Sequence, residues 1–193
     1  MIMRLARFAL AVVSTSALAV FAAACSDPVP PTPQGAWFAS LVHNSGECDI
    51  NGHTTSVGSV TASGRDGVLV SGTQSAGEDV DVSCQVTGTS TFEVSGVVTL
   101  GGKGLQISIP KIDASATKDA PAAGSVSYNN AEFTAGAYSS STAKPCNFYF
   151  IPSTGEGVAS GRIWVAFTCP EVVDGMSTCS LGESFAIFEN CTE

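Results

Sequence analysis

Hydrophobic and polar residues alternate with a period of two along most of the chain beyond residue 36, and no window shows a sustained period of 3.6. Alternation of this kind is typical of half-buried β-strands. The clearest alternating positions are Val80, Val82, Cys84 and Val86; Phe92, Val94, Val98 and Leu100; Leu105, Ile107 and Ile109; Cys146, Phe148 and Phe150; Ile163, Val165, Phe167 and Cys169; and Phe185, Ile187 and Cys191.

The connections between these segments are short and rich in glycine. Gly88-Thr89-Ser90 and Gly101-Gly102-Lys103-Gly104 join the first three segments into an antiparallel meander, since parallel neighbours need long crossovers. Residues 37–42 and an Asn51-Gly52 hairpin signal predict two or three further strands. About eight to ten short strands at this spacing predict an all-β domain, an antiparallel β-sandwich or open barrel, over residues 36–193. We expect residues 111–123 to form a long loop or one short helix.

The first 24 residues differ from the rest of the chain. Residues 1–7 hold two arginines and no acid, and residues 8–24 form an apolar run interrupted by Ser14, Thr15 and Ser16. A basic start followed by a short apolar run and small residues predicts a secretory signal peptide. The run is shorter than the roughly 20 apolar residues that a membrane span needs.

The end of this segment reads Ala22-Ala23-Ala24-Cys25-Ser26. It resembles the lipobox of bacterial lipoproteins, although Ala22 stands where leucine is commonest. The resemblance covers residues 1–25 only, and it implies cleavage before Cys25 and attachment of a diacylglycerol to its thiol. The membrane would then be a partner through this lipid anchor. Ala22-x-Ala24 also suits ordinary signal peptidase, which would release a secreted protein instead.

Two further observations favour the lipoprotein. The chain has 7 cysteines, and assigning Cys25 to lipid leaves six that can pair. Residues 25–35 then contain four prolines, which favour an extended spacer between a membrane and a folded domain. We expect a location in the cell envelope, and the outer membrane over the inner one, because Ser26 stands where an aspartate would resemble an inner-membrane retention signal.

Six cysteines predict three disulfides in the mature domain: Cys48, Cys84, Cys146, Cys169, Cys179 and Cys191. The simplest pairs are Cys169 with Cys179, across the loop between them, and Cys48 with Cys84. The remaining pair, Cys146 with Cys191, would lie two strands apart in a simple meander, at about 9–10 Å. That separation exceeds the roughly 7 Å limit for a disulfide, so either the last strand leaves the sheet or these two cysteines have other partners.

Composition and motifs argue mainly by exclusion. The net charge of −9 argues against a nucleic-acid partner, which needs a basic face. No serine-hydrolase elbow, phosphate-binding loop or dinucleotide fingerprint occurs, so we expect no cofactor and no catalytic residues, and therefore no enzymatic activity. A triad assembled from distant residues would need His43 or His53 as its base.

Two clusters are candidates for binding. Asp79 and Asp81 share a strand face, with Asp49 nearby if Cys48 pairs with Cys84; a calcium site is one interpretation, and a solvated acidic strand edge is the favoured one. Trp164 and Tyr149 fall on the strand faces opposite Ile163 and Phe148, and would form an exposed aromatic pair unless a loop or second layer covers them. The sequence thus predicts a lipid-anchored, non-enzymatic envelope protein of unknown protein or glycan partner. The alternative is a carbohydrate- or ligand-binding module.

Overall fold

The computed structural model describes residues 30–43, 48–62, 64–131, 133, 136–175 and 177–193. The predicted signal peptide and Cys25 lie outside the described residues. The compact unit begins at Pro31, and its first strand begins at Gln34, slightly before the domain boundary expected at residue 36.

The described residues form strands and no helix. In chain order the strands are β1 (Gln34–Val42), β2 (His53–Val57), β3 (Ser59–Thr61), β4 (Gly64–Gly67), β5 (Leu69–Val70), β6 (Gln74–Ser75), β7 (Glu78–Gly88), β8 (Phe92–Leu100), β9 (Lys103–Ile112), β10 (Ala122–Asn129), β11 (Tyr138–Ser139), β12 (Cys146–Tyr149), β13 (Gly157–Ala159), β14 (Arg162–Val173) and β15 (Thr178–Glu189).

Thirteen of these strands belong to one antiparallel sheet. Its main path runs β2-β1-β15-β14-β11-β10-β9-β8-β7-β6, and β5, β12 and β13 pair with strands of that path. Strands β3 and β4 form a separate two-stranded hairpin. The predicted all-β, antiparallel class is therefore confirmed. The number of strands is larger than the eight to ten expected, because several two- and three-residue strands carry too few residues for alternation to be visible.

The central meander follows the sequence pattern closely. Strands β7, β8, β9 and β10 are consecutive antiparallel neighbours. Along β7 and β8, buried apolar residues alternate with exposed polar ones. Gly101 and Gly102 form the two-residue turn between β8 and β9, with φ angles of 55° and 75°. Positive φ at both positions suits a hairpin turn whose twist matches that of the strands, which explains the two glycines.

The sheet folds back over itself, so that its two ends pack face to face as in a sandwich. Strand β1 contacts β7 and β8, and Trp37 donates its indole N–H to the carbonyl of Val98 at 3.3 Å. A Cβ atom on Gly96 would lie 2.6 Å from the ring of Phe188 in β15. The absence of a side chain at Gly96 therefore allows the two layers to approach closely at this point.

The free edge of β7 is covered by the C-terminus of the chain. Val86 donates its backbone N–H to Thr192 at 2.9 Å, and Thr192 donates to Cys84 at 3.0 Å. The disulfide Cys84–Cys191 lies beside these bonds, with 4.8 Å between its Cα atoms. Covering an edge strand in this way removes a surface on which another chain could pair.

All six described cysteines form disulfides, as the sequence predicted, but every simple pairing was wrong. The bonds are Cys48–Cys179, Cys84–Cys191 and Cys146–Cys169. Cys169 and Cys179 do not bridge, because β14 and β15 continue as a paired hairpin in which Cys169 lies opposite Leu181 and Cys179 opposite Val172. Cys146 and Cys191 were expected to lie too far apart to pair, and each has another partner: Cys169 for Cys146 and Cys84 for Cys191.

One local expectation also needs correction. Asn51-Gly52 is not a two-residue turn: β1 and β2 do pair, but the ladder ends at Leu41 opposite His53, which leaves a longer connection. The region expected as a long loop or short helix is a loop, narrower than expected, because β9 continues to Ile112 and β10 begins at Ala122; the loop contains a Thr117–Ala120 bridge.

Disulfides between segments 131 and 107 residues apart form and persist in oxidising compartments. The domain therefore belongs to an extracytoplasmic environment. Within the part of the chain that the structure describes, no helix is long and apolar enough to cross a membrane.

Candidate functional site

Trp164 and Tyr149 lie on the sheet face opposite Ile163 and Phe148, as the alternation predicts, but they are not exposed. Tyr149 is 1% exposed and Trp164 is 8% exposed. Both belong to a small second cluster, separate from the main core, which also contains Ala36, Val60, Ala166, Phe185 and Ile187. The expected open aromatic platform is therefore wrong.

Two elements of the chain contribute apolar residues that pack on this second cluster. Val60 and Ala62 come from β3 and the residue that follows it, and Val60 is 1% exposed. Ile151 packs on it from the start of the turn that follows β12, which the sequence predicted between Pro152 and Gly157. The hairpin β3–β4 and this turn thus form a second layer over Trp164 and Tyr149, which the sequence analysis named as the alternative to an exposed pair.

The hydroxyl of Tyr149 points toward charged groups. It donates a hydrogen bond to Oε2 of Glu183 at 3.1 Å. Lys118 donates from Nζ to the same oxygen at 3.2 Å, and its Nζ lies 5.8 Å from the centroid of the Tyr149 ring. Burial, and then the Glu183 carboxylate, raise the pKa of the Tyr149 hydroxyl, so this group stays a proton donor at physiological pH.

Glu156 lies at the end of the same turn and is half-buried. Its Oε2 accepts the backbone N–H of Ile151 at 2.7 Å, while its Oε1 is buried and has no hydrogen-bond partner. Burial raises the pKa of Glu156 to about 7, and the nearby Glu183 contributes in the same direction. A carboxyl group is thus held partly protonated near neutral pH by its surroundings.

Two clefts lie on either side of this cluster. One, of about 510 Å³, is lined by Glu156, Trp164 and Arg162 among others. The second, of about 700 Å³, contains Tyr149 and is called the Tyr149 cleft below. The residues that line the Tyr149 cleft are Ala62, Thr117, Lys118, Asp119, Tyr149, Phe150, Ile151, Pro152, Ser153, Thr154 and Glu183. Apolar walls with a few convergent polar groups are typical of small-molecule sites.

The two histidines lie elsewhere. His43 contacts the Ile50 carbonyl through Nδ1 at 3.1 Å. His53 contacts the Asn51 carbonyl through Nδ1 at 3.0 Å, and its Nε2 faces Asn130 at 3.2 Å. Asn130 also donates to Thr55, so His53 belongs to a partly buried hydrogen-bond network.

The expected cluster of Asp49 with Asp79 and Asp81 is not supported. Cys48 pairs with Cys179, and the backbone N–H of Asp49 donates to Ser177 at 2.8 Å, which removes the premise that Asp49 lies near β7. Asp79 accepts from Gln74 of the neighbouring β6 at 3.2 Å. The described residues contain no group of three or more histidine, cysteine, aspartate or glutamate side chains that could hold a metal ion.

Sequence reasoning found Tyr149 but missed Lys118, Glu156 and Glu183. Lys118 belongs to the connection whose structure was least clear, and Glu183 lies in a strand read for its apolar residues. No local motif marks these three residues, because they are 27 to 65 positions apart: Lys118 lies in the Thr117–Ala120 turn, Glu156 at the end of the turn after β12, and Glu183 in β15.

Comparison of the chain with protein-family models, curated proteins and solved structures gives no match.

Proposed function

We propose that this protein is a bacterial lipoprotein that holds a disulfide-stabilised β-domain in the cell envelope through a diacylglycerol on Cys25. The observation that carries this proposal is the cysteine pairing. The six cysteines of the folded domain form three disulfides among themselves. Cys25 is the seventh cysteine, and these pairings leave no other cysteine of the sequence for it. An odd cysteine in an exported protein needs another role, and lipid attachment supplies one.

The sequence around Cys25 supports the same role. Three small residues precede it, a basic and apolar segment precedes those, and a proline-rich stretch separates it from β1. Two or more acyl chains give lasting attachment, whereas one gives reversible binding. The outer membrane is the favoured location, and secretion as a soluble protein is the alternative. The anchor role needs no catalytic group, in keeping with a non-enzymatic protein.

The Cys25→Ala variant tests the anchor. Wild-type protein expressed in a bacterium should enter the membrane and detergent fractions and incorporate a fatty-acid probe, because Cys25 carries lipid. The variant should lose the label completely and appear in the soluble fraction or as uncut precursor, since its export signal is intact. Ser26→Ala is the matched control and should still be labelled. Wild-type protein that begins at an unmodified Cys25 in the medium would contradict the lipoprotein and favour secretion.

A second function, compatible with the first, is that of a ligand-binding module. The observation that favours it is the Tyr149 cleft, where a hydrogen-bonded hydroxyl–carboxylate pair lies beside apolar residues. The original carbohydrate interpretation depended on an exposed aromatic pair, so the cleft replaces that platform as the candidate site.

An array of glycans and small metabolites tests this second function. We expect a ligand that binds the wild-type protein and binds the Glu183→Gln variant at least several-fold more weakly, since Glu183 is the carboxylate that accepts hydrogen bonds from both Tyr149 and Lys118 in the cleft. Glu93→Gln, an exposed substitution on β8, is the control. Ligands that bind all three proteins equally would place binding elsewhere on the domain.

A further inference from the structure

The Tyr149 cleft already contains one ammonium group, which belongs to the chain itself. Lys118 Nζ lies 3.2 Å from Glu183 Oε2 and 5.8 Å from the centroid of the Tyr149 ring. Proteins recognise organic cations by two kinds of contact: a hydrogen bond from the cation to a carboxylate, and an aromatic ring whose centroid lies within about 6 Å of the cation. The geometry therefore shows what kind of group this position accepts.

Lys118 is held loosely compared with the groups that it contacts. Its side chain is 69% exposed, and it projects from the Thr117–Ala120 turn rather than from a strand of the sheet. Exposed ion pairs of this kind contribute little to stability, because water screens them and a long side chain must be ordered. Lys118 can leave Glu183 at a small cost in free energy.

The acceptor that Lys118 would leave behind has a second partner. Tyr149 is 1% exposed in β12, and its hydroxyl donates to the same Glu183 oxygen at 3.1 Å. This bond restrains the Glu183 carboxylate, whose side chain is otherwise 42% exposed. A receptor group that is ordered before binding loses less conformational entropy when a ligand arrives.

The walls of the cleft suit a hydrocarbon body attached to the cation. Ile151 and Pro152 line one side together with Ala62, and Asp119 adds a second carboxylate. With Lys118 displaced, Asp119 and Glu183 are the charged residues among the described residues that line the cleft, and both are acidic. The chain as a whole carries a net charge of −9, which favours the approach of cations over anions.

We propose that the Tyr149 cleft binds an organic ammonium ion with an apolar body, and that this ion displaces Lys118 from Glu183. The proposal depends on the ligand-binding function and gives it a ligand class. The ligand ammonium takes the position between Glu183 and the Tyr149 ring, and its hydrocarbon part packs on Ile151 and Pro152. Lys118 acts as an internal competitor that sets the affinity.

Substitution of Lys118 separates this ligand class from the others. An anionic ligand would use Lys118 as its partner and would bind more weakly without it. A neutral ligand such as a sugar would be nearly indifferent to its charge. An ammonium ligand alone gains affinity, because the competitor for Glu183 is gone.

The experiment titrates full-length protein, purified in detergent with its disulfides intact, with three phenylalkyl probes of similar size at neutral pH and low salt. The probes are phenethylammonium, the neutral 2-phenylethanol and the anion 3-phenylpropionate, and binding is followed by calorimetry or NMR. The variants are Lys118→Gln, Glu183→Gln and, as a matched control at another exposed lysine–glutamate pair, Lys144→Gln. Thermal unfolding of each variant establishes that it is folded.

We expect phenethylammonium to bind more tightly than the other two probes, and its affinity to fall as salt is added. Lys118→Gln should tighten its binding by about two- to fivefold, the range that an exposed ion pair allows. Glu183→Gln should weaken it by about tenfold or more, because a charge-assisted bond is lost. Lys144→Gln should leave it unchanged.

Three results would overturn the proposal: equal binding of the alcohol and the amine, weaker amine binding in Lys118→Gln, or no saturable amine binding in either wild-type or Lys118→Gln protein. The Lys118→Gln result decides the matter even if Glu183→Gln does not fold. Saturable binding of the alcohol or the carboxylate without the amine would refute the ammonium ligand and leave ligand binding in place. If none of the three probes binds and the array yields no ligand, both the ammonium ligand and the ligand-binding function are refuted.

Discussion

The Cys84→Ala/Cys191→Ala double variant should lose about 4 kcal/mol of unfolding free energy, close to what a small domain can spare. Cys84 and Cys191 lie 36 and 12 positions from the two ends of the Cys48–Cys179 disulfide, which stays intact, so the removed bond closes a loop of about 48 positions in the unfolded chain. Its removal also releases the C-terminus from the edge of β7, where Thr192 exchanges two backbone hydrogen bonds with Cys84 and Val86. Both effects destabilise the folded state relative to the unfolded one.

Cys146→Ala/Cys169→Ala is the matched control for loop length. This bond closes a segment of 23 positions between β12 and β14, which already pair with each other. Chain entropy then predicts a loss of about 3 kcal/mol, smaller than for Cys84–Cys191. Urea unfolding of the oxidised proteins measures both values, and full reduction of the wild-type protein should lower its stability by several kcal/mol. Equal losses in the two double variants, or the reverse order, would show that loop length does not govern these bonds.

The second large effect should come from Glu156, whose pKa is about 7 in the folded chain against an ordinary value of 4.5. Between these two values the folded state binds more protons than the unfolded state. The stability that Glu156 contributes is therefore greatest below about pH 4.5, falls as pH rises, and is lost above about pH 7. Since the side chain is only half-buried, solvent screening reduces the total to about 1–2 kcal/mol.

Glu156→Gln removes the ionisation and should flatten this part of the pH profile. At pH 8 we expect the variant to be more stable than the wild-type protein by about 1–2 kcal/mol, with a much smaller difference at pH 4.5. The measurement is the free energy of unfolding in urea from pH 4.5 to pH 8, with Glu93→Gln as the exposed control. A Glu156→Gln variant that follows the wild-type slope would place the pH dependence on another group.

The arrangement also shows why the candidate site escaped sequence reasoning. Tyr149 was found because strand alternation assigns each residue to a face, and that assignment depends only on the period of the backbone. Its burial was not predictable, because it comes from Val60 and Ala62, almost ninety positions earlier in the chain. Glu183 and Lys118 meet Tyr149 through tertiary contacts for which the sequence carries no local sign.

The disulfides show the same limit: their number was predictable from the sequence, and their pairing was not. That six cysteines would pair follows from their number and from the predicted export signal, and the pairing is confirmed. Which cysteines pair depends on where strands end in space. Cys48 reaches Cys179 across 131 positions because β1 pairs with β15, and nothing in the spacing of cysteines specifies that pairing.

By itself the sequence determined the all-β class, the meander from β7 to β9, its glycine turn and the number of disulfides. Each depends on local chemistry: the two-residue period of an extended backbone, the positive φ that glycine permits, and the parity of the cysteines. The tertiary structure alone decided the order of strands beyond the meander, the cysteine partners, the cover over Trp164 and Tyr149, and the meeting of Lys118, Glu183 and Tyr149. These features join residues far apart in the chain, and their contacts form only in the folded state. There the sheet folds back over the main core, and the β3–β4 hairpin and the turn after β12 cover the second cluster.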